Sequence, residues 1–186
     1  MKSLIAKYWT LVSIIILVLG ATWVWLSAVP PGRTTSGAIP APQKGFAAPD
    51  FELSTTEGER LLLSDLRGQA ILLNFWATWC SPCRSEMPAM QQVYMDYEQN
   101  GFVILAVNNL RQDRRESVEA FILEEKLSFP VLLDNTGSVS TKYQVNSMPT
   151  SFFIDPEGII RDVVIGGPMS EALLRTRVEN LLVEED

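Results

Sequence analysis

The segment Ala70-Ile71-Leu72-Leu73-Asn74-Phe75-Trp76 constrains the fold of this chain more than any other. A nearly continuous apolar run of this kind is the pattern of a strand buried on both faces of a parallel sheet. It leads through Ala77-Thr78-Trp79 into Cys80-Ser81-Pro82-Cys83, after which the sequence reads as a helix to about Asn100, where Asn100-Gly101 supplies a stop. A Cys-x-x-Cys pair therefore falls at a strand-to-helix junction. The first cysteine then sits at a helix N-terminus, where unpaired N–H groups and the positive end of the dipole stabilise a thiolate. The second lies one turn in, within reach for a disulfide. Cys80 reads as the attacking nucleophile and Cys83 as the resolving thiol that releases a mixed disulfide. Pro82 takes an early helical position where its missing N–H costs nothing.

The chain has 186 residues, two cysteines and no histidine. Without histidine, imidazole acid–base catalysis and Cys-His nucleophile pairs are excluded. A structural zinc site needs four ligands, and there is no second cysteine pair to complete one. Covalent haem attachment needs His directly after the second cysteine, a place held by Arg84. The bland alternative is two ordinary buried cysteines. No metal and no cofactor is expected. Residues 1–49 contain Lys2, Lys7, Arg33 and Lys44 and no acid, so residues 50–186 carry 11 of the 15 basic side chains and all 22 acidic ones, a net charge of −11. Such a surface repels a phosphate backbone, so no nucleic-acid partner is expected.

From Trp9 to Val29 no residue is charged. About 20 apolar residues at ~1.5 Å each cross a ~30 Å hydrocarbon core, so residues 9–29 are expected to form a transmembrane anchor. Lys2 and Lys7 precede it, which places residues 1–8 in the cytoplasm and the rest outside, a single-pass protein of the cell membrane. A cleaved signal peptide ending near Ser27-Ala28 is the competing reading. Residues 30–49 are rich in Pro and Gly and read as an extended tether.

The folded domain is expected over 50–186. Phe51–Leu53 and Arg60–Leu63 read as strands around Glu57-Gly58, and Phe102–Val107 as a second buried strand. Arg114–Lys126 reads as an amphipathic helix with Val118, Phe121, Ile122 and Leu127 inward. Val131–Leu133 is a short strand and Ser138–Tyr143 a helical turn. Thr150–Ile154 and Ile159–Ile165 form a hairpin across Asp155–Gly158, and Ser170 caps a last helix to about Val183. Strands alternating with helices and closing on a hairpin and a helix predict an α/β fold with a mixed central sheet flanked by helices.

The segment Asn74-Phe75-Trp76-Ala77-Thr78-Trp79-Cys80-Ser81-Pro82-Cys83 resembles the active-site segment of thioredoxin-like proteins, above all the TlpA, ResA and DsbE (CcmG) group. The resemblance covers about Ala47 to Leu182. Pro88 matches the helix-kinking proline of the family, and Met148-Pro149-Thr150 its cis-proline loop, which lies against the redox pair and docks substrate backbone. Arg111–Phe129 looks like the helical segment this group inserts into the thioredoxin plan. The resemblance implies a thioredoxin-like fold and a thiol–disulfide oxidoreductase tethered outside the membrane. It also implies protein disulfide substrates, such as apocytochrome c cysteines in cytochrome c biogenesis, and a membrane-embedded thiol electron donor. Trp79, Pro82, Met148 and Pro149 would form the substrate-binding rim.

Where thioredoxin has a buried Asp, this chain has Asn74, which the TlpA-like proteins share and which cannot exchange protons. Glu86 matches a glutamate of ResA-like members. Three residues along a helix keeps it on the Cys83 side, where a carboxylate could take that thiol's proton. The other reading of Glu86 is an ordinary exposed helix acid. Ser81-Pro82 lacks the His that strengthens the oxidant DsbA, which favours a reductant. Two other functions compete. Phe46–Phe51 looks like peroxiredoxins, yet these thiol peroxidases place Thr three residues before the reactive Cys, whereas Thr78 is two before Cys80. Sco-like copper chaperones use two Cys separated by three residues plus a His, which this chain lacks.

Overall fold

In the computed structural model, which describes residues 16–18 and 39–183, the apolar run Ala70–Trp76 is the third strand of a seven-stranded sheet. Chain order is β1 (Glu52–Thr55), β2 (Arg60–Leu62), β3 (Ala70–Trp76), α1 (Ser81–Tyr97), β4 (Phe102–Asn108), α2 (Arg115–Glu125), β5 (Val131–Leu133), α3 (Ser138–Lys142), β6 (Thr150–Ile154), β7 (Ile160–Ile165) and α4 (Glu171–Val183). Strands lie in the order β2-β1-β5-β4-β3-β6-β7. The β3–β4 and β4–β5 pairs are parallel, and the flanking pairs antiparallel, giving the expected mixed sheet. The chain divides into two units, Met1–Thr34 and Thr35–Asp186, and the sheet belongs to the second.

All seven residues of β3 are buried. Because side chains alternate across a strand, Ile71, Leu73 and Phe75 enter one core with Val103, Leu105, Tyr143 and Phe152, while Leu72 and Trp76 enter the other. This second core is closed by Met87, Met90 and Val93 of α1, Val118 and Phe121 of α2, and Leu174, Val178 and Leu181 of α4. Each fully buried Leu or Phe on these faces contributes about 1.5–3 kcal/mol. Asn74 stands between Leu72 and Trp76 on the same face, so a polar amide points from the centre of the sheet toward α1.

The element limits follow the sequence closely. The first helix ends at Tyr97, and a 3-10 turn over Glu98–Asn100 carries the chain to Gly101, whose φ of +81° lets it reverse into β4. In α2, Val118 and Phe121 are buried and Ile122 half-buried, with Leu127 buried just past the helix. Ser170 caps α4, its Oγ accepting the Leu173 N–H at 3.3 Å.

The predicted anchor, residues 9–29, lies outside the described residues except for 16–18, which are helical. Among the described residues no helix is long and apolar enough to cross a membrane. Of the tether expected over 30–49, residues 30–38 lie outside the described residues, and from Pro40 onward the chain is part of the domain. Pro40 and Ala47 form a bridge, and Ala47 bridges to Ile159. Gly45 N–H donates to the Ile160 carbonyl at 2.7 Å, and Ile160 N–H to the Phe46 carbonyl at 2.9 Å. The physical reason is the free edge of the hairpin, whose N–H and C=O groups need partners that a Pro/Gly-rich segment can supply from its backbone.

The Tyr143 hydroxyl completes this attachment by donating to the Pro49 carbonyl at 2.8 Å from a buried ring. Tyr143→Phe leaves that carbonyl unpaired, a loss of about 1–3 kcal/mol for a buried polar group. Thermal unfolding is expected to show Tm lowered by roughly 2–4 °C per kcal/mol lost. An unchanged Tm would mean the Pro49 attachment contributes nothing to stability.

Candidate active site

The buried strand β3 ends at Trp76 and delivers the three-residue turn Ala77–Trp79 to the start of α1. Cys80 is the N-cap of that helix: its backbone is extended, and its Sγ accepts the Cys83 N–H at 3.3 Å. The two cysteines are joined as a disulfide with Cα atoms 5.3 Å apart. Cys80 retains 4% of its surface and Cys83 none, so an incoming group reaches Cys80 first. Pro82 lies half-buried in the first turn, where no N–H is needed.

The residues expected at the rim differ in exposure. Trp79 is 58% exposed, and its indole N–H donates to the Gln112 carbonyl at 2.8 Å. The Met148-Pro149 peptide is cis, with Met148 half-buried and Pro149 buried. Behind it runs a loop absent from the sequence-based expectations, Gly166–Met169, whose Gly167-Pro168 bond is also cis. Gly166 N–H donates to the Pro149 carbonyl at 2.8 Å. A Cβ on Gly167 would stand 2.7 Å from Pro149 Cγ and 2.8 Å from Glu86 Oε2, so only glycine allows the proline and the carboxylate to close around that backbone.

Glu86 is no surface acid. It is fully buried on the inner side of α1, one turn after Cys83. Asn74 Nδ2 donates to its Oε1 at 2.9 Å and Met169 N–H to its Oε2 at 3.1 Å. Asn74 Nδ2 also donates to Ser151 Oγ at 2.9 Å, across the β3–β6 register that pairs the two residues. Burial pushes the Glu86 carboxyl above its ordinary value, and the two hydrogen bonds only partly offset this. A carboxylate that readily holds a proton thus lies buried three residues after the resolving cysteine on the same helix.

Cys80 and Cys83 are therefore joined at the start of α1, Glu86 follows on the same helix, and Gly167 lies against both Glu86 and Pro149. Sequence reasoning missed Asp113. Its carboxylate accepts the Thr78 N–H and the Thr78 hydroxyl, both at 2.6 Å, Asn108 Nδ2 at 2.9 Å and Arg114 N–H at 2.8 Å. Desolvation pushes Asp113 up, but hydrogen bonds from Asn108, Thr78 and Arg114 outweigh it and hold the carboxyl below its usual range. No local signal distinguishes this Asp from other loop acids.

A redox dithiol at a strand-to-helix turn of a mixed α/β sheet that also carries a cis-proline loop defines a thiol–disulfide oxidoreductase of thioredoxin-like fold. The chain belongs to the AhpC/TSA family, which matches residues 45–163. It is 44% identical over 143 residues to the thiol-disulfide oxidoreductase ResA of Oceanobacillus iheyensis, covering 74% of this chain and 70% of that one. It is 43% identical to the thioredoxin-like protein YneN of Bacillus subtilis, over 67% of this chain and 72% of that one. A crystal structure of a thioredoxin-family thiol:disulfide interchange protein from Chlorobium tepidum superposes with a TM-score of 0.69 at 29% identity, covering 75% of this chain and 98% of that one.

Glu86 generates a pH prediction. Its proton is held more tightly in the folded state than in the unfolded chain. Its contribution to stability is thus fully present below the unfolded-state pKa and is lost as pH rises through the folded one. Glu86→Gln removes this titration. Denaturant unfolding of the oxidised protein between pH 4 and 8 should show stability falling with pH more steeply in the wild type than in the variant; parallel profiles would mean that Glu86 does not titrate as its burial requires.

Proposed function

We propose that this protein reduces protein disulfides outside the cytoplasm, held at the membrane by residues 9–29, with apocytochrome c cysteines as a fitting substrate class. The observation that carries the redox chemistry is Cys80 at the helix N-cap with the Cys83 N–H directed at its sulfur. That position favours a thiolate at neutral pH. In the reduced protein, the Cys80 thiolate attacks one sulfur of the substrate disulfide. The substrate S–S bond breaks, and its other sulfur leaves as a thiolate. Glu86 accepts the proton of Cys83, which then attacks Cys80 Sγ. The mixed disulfide breaks, the substrate departs with both sulfurs reduced, and the Cys80–Cys83 disulfide remains. A membrane-embedded thiol donor returns two electrons by the same exchange run against Cys80. The reducing direction is supported by Ser81-Pro82 between the cysteines, which supplies no His to stabilise the reduced form as in a strong oxidant. The uncharged stretch from Trp9 to Val29 after Lys2 and Lys7 supports the topology.

The division of labour gives the test. Cys80→Ser should abolish reduction of a model protein disulfide, whereas Cys83→Ser should attack and then stall as a stable mixed disulfide visible by mass. Glu86→Gln should slow release about tenfold or more while leaving attack within a few-fold, the range set by loss of a general base. Full reductase activity in Cys80→Ser would remove the assignment. Peroxide consumption comparable to disulfide reduction would favour a thiol peroxidase, and stoichiometric Cu(I) retention a copper chaperone.

For the topology, a membrane-impermeant thiol reagent applied to intact cells should label reduced Cys80. Protection until lysis would rule out an external domain.

A further inference from the structure

We propose that Asp113 is a positioning residue for the redox pair, through which the inserted segment fixes the turn that presents Cys80 to the N-terminus of α1. Only Ala77, Thr78 and Trp79 separate the last residue of β3 from Cys80. Thr78 gives Asp113 both its backbone N–H and its hydroxyl, and Trp79 gives its indole N–H to Gln112. Two of the three turn residues are therefore tied to consecutive positions of a loop more than thirty residues away in the chain.

Asp113 is itself braced from the sheet. Asn108, which donates to Asp113 Oδ2, is the last residue of β4 and pairs in register with Trp76, the last residue of β3. Trp76, Thr78, Asp113 and Asn108 thus close a ring across the ends of the two central strands. Four donors on one partly desolvated carboxylate are charge-assisted hydrogen bonds, which are stronger and more directional than neutral ones. The effect reaches Cys80 through the turn. Cys80 N–H donates to the Ala77 carbonyl at 3.2 Å, and its sulfur meets the Cys83 N–H only while Cys80 remains the N-cap. A slack turn lets the sulfur swing off the helix terminus and lose that stabilisation.

Positioning and charge make opposite predictions, so they can be told apart. A carboxylate acting as a nearby negative charge would oppose the thiolate, and its removal would lower the Cys80 pKa. A carboxylate acting as a clamp would, when removed, raise it. Asparagine separates the two again, because it is neutral yet keeps an oxygen for Thr78. With the amide oxygen in the Oδ2 place it still accepts from Thr78 N–H and Asn108 Nδ2, and the amide N–H in the Oδ1 place donates to the Thr78 hydroxyl oxygen, which preserves the ring.

The inference rests on Cys80 as the attacking thiol, and one experiment tests both. Reduced full-length protein is alkylated across pH 5–9, and each cysteine is quantified by peptide mass. Asp113→Ala is expected to slow Cys80 alkylation at pH 7 by about two- to tenfold, the size of a helix-terminus contribution, and to move the profile to higher pH. Asp113→Asn should stay within about twofold of the wild type, judged against that same contribution. Tyr143→Phe, which destabilises the domain away from the site, should leave the profile in place. Thr78→Val removes one of the two Thr78 donors and should shift the profile in the same direction by less, which keeps the test open should Asp113→Ala fail to fold. The proposal is overturned if Cys80 alkylates first but its profile is unchanged in Asp113→Ala and Thr78→Val, or moves to lower pH. It is also overturned if the Asn and Ala variants behave alike. Cys83 alkylating before Cys80 in the wild type would overturn the nucleophile assignment and this inference with it.

Discussion

Burial of β3 on both faces is the constraint on which the site depends. A strand with seven buried residues has no freedom to shift register, since a one-residue slip would drive Ile71, Leu73 and Phe75 into the space of Leu72, Asn74 and Trp76. Its C-terminal end therefore points in one direction, and the helix it feeds starts at one place. Cysteine chemistry of this kind needs a sulfur held at a helix terminus, and a fully packed strand is a rigid support for it.

The same strand carries a polar residue through an apolar core. Asn74 can be accommodated because its amide N–H groups reach Glu86 and Ser151, joining α1 and β6 to the sheet centre. Its Oδ1 has no hydrogen-bond partner. An incompletely satisfied buried amide is costly, and such costs gather where function requires a polar group. Here the amide orients the Glu86 carboxylate without itself exchanging a proton, which an aspartate at position 74 would do.

The sheet and helices were legible in the sequence because each has a strong period or a clear boundary residue. Ala70–Trp76 announced itself by hydrophobicity, Gly101 by its position after Asn100, and Ser170 as a cap. The redox pair was legible because two cysteines in a histidine-free chain leave few alternatives. Glu86 was not decidable: a glutamate three residues past Cys83 fits a wet or a buried helix face equally well, and only α4, with the Gly166–Met169 loop before it, closes over it. Asp113 and the docking of residues 40–49 were invisible for a related reason. Both depend on hydrogen bonds between distant segments, and the second uses backbone groups that every residue possesses.

The exposure left to Cys80 has a consequence for what this protein can act on. Thiol–disulfide exchange requires the incoming S–S bond to align end-on with the attacking sulfur, and at 4% exposure Cys80 offers little surface for that approach. A disulfide inside a folded globule carries too much bulk around it to approach along that line. One in a slack chain, or on a projecting loop, can thread in. A sulfur this nearly buried thus puts a geometric demand on whatever disulfide meets it: the oxidised pair has to come forward from its own fold, because Cys80 cannot come out to it.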